Sequence, residues 1–72
     1  MRRPAETYSQ RRLVYALRYA IDEGKMLEAA SLAAEHPRGM RSRHVIHNVG
    51  RARLRALDMS TRARARSFVR DA

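Results

Sequence analysis

Residues 41–59, RSRHVIHNVGRARLRALDM, decide how this chain folds. At 100° per residue the stretch reads as one helix over residues 42–58 with two incompatible faces. Val45, Ile46, Val49, Ala52 and Ala56 fall on one side, with Leu57 at its edge. Arg43, His44, His47, Asn48, Arg51 and Arg55 fall opposite. One side calls for a hydrophobic core, the other for a polyanion or a carboxylate-rich partner. Two residues are out of place on this wheel: Arg53 lies in the apolar stripe and Leu54 in the basic one. Ser42 is the expected N-cap. Gly50 costs about 1 kcal/mol relative to Ala inside a helix. It marks a close helix crossing, a kink or simple tolerance.

Upstream lies the support for that helix. Residues 1–4 read as a basic arm, and a first helix is expected over residues 5–23, with Thr7 or Ser9 as caps for a later start. Gly24 follows as a left-handed C′ residue. The core stripe of this helix is Leu13, Val14, Leu17 and Ile21. Tyr8, Tyr15 and Tyr19 share the opposite side, with Arg12 beside them. Those rings either lie under the basic C-terminal part of the same chain, form a homodimer or partner interface, or stack on bases. A second helix is expected over residues 25–36. Its Ala-rich, nearly all-apolar surface predicts an inner helix that neighbours approach closely. Pro37 and Gly39 break the chain, Gly39 being able to take positive φ, and Met40 is the expected plug of the turn. Downstream, Asp58-Met59-Ser60 interrupts the pattern, with Ser60 or Thr61 capping a last helix over residues 61–70 anchored by Phe68. No segment shows the period-two alternation of a strand. The expected fold is all-α: one small bundle of three main helices plus a short basic C-terminal helix.

A chain of 72 residues buries roughly 60% of its unfolded surface, so its stability margin is small. With no cysteine there is neither a disulfide nor a thiolate metal site to reinforce it, which makes a homodimer an expected source of extra stability. The opening MRRPAETYSQRR has no apolar run of the signal-peptide kind, and no stretch approaches ~18 consecutive apolar residues. A soluble, cytoplasmic protein with no membrane association is expected. Charge is distributed unevenly. Residues 1–36 hold six basic and five acidic side chains, a net of +1; residues 37–72 hold ten arginines against Asp58 and Asp71, a net of +8. All but one of the basic residues are Arg, the side chain suited to bidentate contact with phosphate or carboxylate.

The second helix, the PRGM turn (Pro37 to Met40) and the central helix together resemble a helix-turn-helix unit over about residues 26–57. That pattern places a small residue four positions before the turn glycine and apolar residues six and nine after it. Here Val45 fits, whereas Glu35 and Asn48 stand at the other two places. The resemblance implies a central helix that reads a groove. Another stretch, ALRYAIDEGKMLEAASLAAEHP (Ala16 to Pro37), resembles one tetratricopeptide-type hairpin, with Tyr19, Gly24, Ala29 and Pro37 at fitting places. It implies a partner-binding surface, although a single hairpin makes no solenoid.

The leading expectation is a DNA-binding regulator. Arg43, His44, His47, Asn48 and Arg51 would face the groove, while Arg41, Arg55, Arg62, Arg64 and Arg66 would contact phosphate. Concentrated like charge repels by a few tenths of a kcal/mol per helical pair, and a bound polyanion relieves that repulsion. The main alternative is a small adaptor or inhibitor that binds an acidic protein surface through Tyr8, Arg12, Tyr15 and Tyr19. RNA binding by arginine-rich helices is a third reading. His44 and His47 are three apart, but no acid or thiol in the same turn completes a metal ligand set. No nucleophile–base constellation is readable, so neither enzymatic activity nor a cofactor is expected.

Overall fold

The computed structural model describes the backbone of residues 4–71 and the side chains of residues 10–67. Five helices follow one another: α1 (Pro4–Asp22), α2 (Met26–Glu35), α3 (Pro37–Met40), α4 (Arg43–Val49) and α5 (Arg51–Asp71). No strand occurs among the described residues. The all-α bundle expected from the hydrophobic pattern is the fold observed.

α1 is the central helix. Its stripe of Leu13, Val14, Leu17, Ala20 and Ile21 is buried, and α2, α4 and α5 all pack on it. Pro4 already belongs to α1, and the helix is under way at Thr7 and Ser9, so neither residue caps its start. The other end closes as the sequence predicts. Gly24 sits at φ 76°, its N–H donates to Ile21 O at 3.1 Å, and the Lys25 N–H donates to Ala20 O at 2.7 Å. These paired bonds satisfy carbonyls that a helix end leaves open.

α2 is not an inner helix. Ala29 alone among its residues is fully buried, and Leu27 is 66% exposed. With so few elements in the molecule, α2 has neighbours on one side only, and its remaining apolar surface meets solvent. The turn after it is itself a helical turn, α3, with Pro37 at its first position, where a fixed φ favours the helix and the missing N–H loses no bond. Gly39 does not take positive φ; Gly24 and Gly50 are the glycines that do. Its role is close approach, because a Cβ there would lie 2.6 Å from Leu13 Cδ2. Met40 packs half-buried against the core, as expected of a plug. α2 and α4 each pack on α1, with the helical turn α3 between them in the chain.

The largest departure from the sequence reading lies in residues 42–71. A single helix over 42–58 and a separate one over 61–70 were expected; the break falls instead at Gly50. At φ 96° and ψ 147° it ends α4 after seven residues, and α5 then runs without interruption for 21. Asp58-Met59-Ser60 does not interrupt it. Asp58 pairs with Arg62 at 3.2 Å one turn on, and Thr61 Oγ1 donates to Leu57 O at 2.9 Å, so both residues are held inside the helix. Ser42 occupies the N-cap position of α4 with extended backbone and accepts the first helical bond from the Ile46 N–H at 2.9 Å. Its hydroxyl makes no cap bond. The side chain of Phe68 lies outside the described residues.

Among the described residues the core comprises Leu13, Val14, Leu17, Ala20, Ile21, Ala29, Val45, Val49 and Leu57, with no buried polar side chain. From Asp58 to Ser67 every residue is exposed except the half-buried Ser60, so the distal half of α5 projects from the bundle. Hence the molecule measures 48 × 21 × 17 Å and its radius of gyration, 13.3 Å, exceeds the ~11 Å of a compact chain this long.

Candidate nucleic-acid interface

α4 presents the candidate surface. Val45 and Val49 are fully buried against α1, which fixes the rotation of the helix and turns Arg43, His44, His47 and Asn48 to solvent. Arg41 lies exposed in the connection just before it. Ile46, expected on the core side, is 41% exposed and lines a shallow cleft with Arg43, His47 and Arg51. The cause is the break at Gly50. One helical wheel cannot describe both halves of residues 42–58, and α5 enters the core in a different rotation from α4. Ala52, also expected in the core, is exposed. Leu54, expected on the basic side, packs on the core.

The same rotation explains Arg53. Its Nε donates to Asp22 Oδ1 at 2.8 Å, its Nη2 to Asp22 Oδ2 at 2.9 Å, and its Nη1 to the Val49 carbonyl at 3.0 Å. The guanidinium thus joins the end of α1, the end of α4 and the first turns of α5. The hydrogen bonds from Arg53 hold the Asp22 carboxyl below its ordinary value, with the charges of Arg53 and Arg18 acting in the same direction. The same bonds raise Arg53. This arginine serves the fold, which leaves Arg51 and Arg55 as the exposed cations of the first turns of α5.

Asn48 is locally engaged. Its Nδ2 donates to the His44 carbonyl at 2.7 Å and lies 3.4 Å from His44 Nδ1. Its Oδ1 remains available to accept. A bidentate contact to adenine needs one donor and one acceptor from the amide, which Asn48 can supply through Oδ1 and the Nδ2 hydrogen not given to the His44 carbonyl.

Arg62, Arg64 and Arg66 are exposed on the projecting half of α5. At 1.5 Å per residue they lie ~16–22 Å along the helix axis from Arg51, too far to join the α4 surface directly. Of the four residues expected at a partner interface, Arg12, Tyr15 and Tyr19 are exposed on α1. Tyr8 has its side chain outside the described residues. Arg12 lines a depression toward α2 with Leu32 and His36. The Tyr19 ring lies under the Lys25 ammonium, 5.2 Å from Nζ to the ring centroid. Tyr15 faces α4. Tyr15 is 67% exposed and Tyr19 59%, so the basic C-terminal helix does not cover them.

Two cations absent from the sequence reading join the surface. Arg11 and Arg18 of α1 line one cleft with Tyr15, His44 and Asn48. The spacing of Arg11, Tyr15 and Arg18, at i, i+4 and i+7, shows a common helix face in the sequence. Only the packing of α1 on α4 brings that face beside His44 and Asn48.

Among the described residues, no acidic side chain lines either cleft at α4. Asp22 and Asp58 are paired with arginines, and Glu28 and Glu35 sit on α2. No group of three or more potential metal ligands gathers among the described residues, and no described helix is long and apolar enough to cross a membrane. In comparisons with known proteins, the chain matches no family model, no curated protein and no solved structure.

Proposed function

We propose that this protein binds duplex DNA as a small regulator, with α4 as the helix that enters the groove. One observation carries the reading. Two fully buried valines clamp a short helix whose outward side includes Arg43, His44, His47 and Asn48, on a surface with no lining carboxylate among the described residues. A helix is about 10–12 Å across with its side chains, and the major groove is about 12 Å wide. Seven residues give α4 a length of ~10 Å, enough for a few base pairs and no more. Arg41, Arg51 and Arg55 stand near its two ends as phosphate contacts, and the distal arginines of α5 reach phosphate farther along the duplex.

The test is a pair of variants measured on the full chain. Arg43→Ala with Arg51→Ala should abolish most duplex binding, because both side chains are exposed and neither supports the core. The helical circular dichroism spectrum should be unchanged. Retained binding with an intact fold would remove α4 from the interface.

A further inference from the structure

We infer that α1 forms a second wall of this site, with Arg11, Tyr15 and Arg18 holding the phosphate backbone of one DNA strand while Arg51 and Arg55 of α5 hold the other. The inference rests on the proposed duplex binding and adds residues and a geometry to it. α4 packs on both α1 and α5, so any groove that admits α4 brings those two helices against its rims. On the α1 side, Arg11, Tyr15 and Arg18 share a cleft with His44 and Asn48. On the α5 side, Arg51 shares a cleft with Ile46 and His47. Seven residues separate Arg11 from Arg18, ~10 Å along the helix axis, so the two guanidiniums can reach different phosphates of one strand. Between them Tyr15 offers a hydroxyl donor on a ring held at the surface. A largely exposed tyrosine flanked by two arginines suits a phosphodiester: the hydroxyl donates to an oxygen while the guanidiniums neutralise the charge.

The experiment measures salt-dependent affinity for a labelled generic duplex and for an unstructured single strand of equal length. It compares the full chain with Arg11→Ala, Arg18→Ala, the double variant and Tyr15→Phe. Arg38→Ala, an exposed charge on α3, serves as the control of equal charge change. Each arginine removed from α1 should lower the steepness of log affinity against log salt by about 0.9, and the double variant by about 1.8. All duplex sequences should weaken alike. Tyr15→Phe should weaken binding about tenfold, the scale of a hydrogen bond to a charged group, with the slope unchanged. Arg38→Ala should leave the slope alone.

A double variant that keeps the wild-type slope, beside a wild-type protein that binds duplex steeply, would overturn the α1 wall and leave the duplex reading standing. Single-strand binding as tight as duplex binding would also overturn it, since the two walls need two strands. If the wild-type protein binds no duplex at all, both the wall and the reading beneath it fail.

Discussion

Arg53 grips both carboxylate oxygens of Asp22, at 2.8 and 2.9 Å, and with its remaining nitrogen closes the Val49 carbonyl at 3.0 Å. Three helix ends meet at one planar fork, and the chain between two of them is the single residue Gly50. The clasp therefore fixes the angle at which α4 leaves α5, and with it the direction in which the basic face of α4 points.

The clasp predicts an acid-sensitive stability. Asp22 is held below its ordinary value, so its folded state favours the carboxylate. The stabilisation is fully present above the unfolded aspartate value of about 3.9 and is lost as pH falls through the lower folded value. Solvent reaches half of the Asp22 side chain and screens the pair, so the effect is modest. Thermal melts from pH 6 to pH 2 should show the wild-type midpoint falling further than that of Asp22→Asn. Parallel curves would show that the pair adds nothing to folding.

A lysine cannot replace this arginine. Arg53→Lys keeps the charge but loses the fork that reaches two carboxylate oxygens and a carbonyl together. Its melting temperature should fall nearly as far as that of Arg53→Ala. Recovery of the wild-type midpoint by lysine would show that charge alone matters at this position.

Gly50 predicts a backbone penalty. At φ 96° any Cβ is strained whatever the space around it, and the nearest side-chain atom, Arg53 Nη1, is 4.0 Å away. Gly50→Ala should lose about 1–3 kcal/mol in urea unfolding. Where the variant relieves that strain by continuing the helix through residue 50, α4 turns away from α1 and duplex binding falls further than stability does. Unchanged urea midpoint and affinity would contradict the observed break.

Much of the fold was legible in the sequence because α1 obeys local rules from its core stripe to its C-terminus. Its buried stripe repeats at helical spacing, and Gly24 carries the positive φ that its C-terminal bonds require. The region after Ser42 was harder because two signals competed. Gly50 was open to a close crossing, a kink or simple tolerance, whereas Asp58 and Ser60 looked like a boundary; the chain breaks at Gly50, beside the Arg53 clasp, and runs helical through Asp58, which pairs with Arg62 one turn on. Arg53 in the apolar stripe and Leu54 in the basic one were the visible trace of a change in rotation at residue 50. On the candidate surface, the outward places of Arg43, His44, His47 and Asn48 followed from periodicity, whereas the exposure of Ile46 did not. The neighbourhood of Tyr15 with His44 and Asn48 did not, since it joins residues about thirty positions apart.

Core substitution should be severe in so small a molecule. Leu17 is fully buried at the centre of α1, and Leu17→Ala should cost about 2–5 kcal/mol. At roughly 0.05–0.15 kcal/mol per residue, that is a large share of the whole stability. The variant's helical signal at 25 °C should be visibly reduced or its urea midpoint displaced well below wild type. A midpoint within experimental error of wild type would mean that the α1 stripe is not the core.

The most direct test of the central claim is equilibrium binding of the full chain to a generic labelled duplex between about 50 and 200 mM salt. Engagement of 6–10 phosphates predicts a loss of roughly 10³–10⁵ in affinity across that range. No binding at 50 mM, or an affinity indifferent to salt, would contradict the account and turn the exposed tyrosines and arginines toward a protein partner.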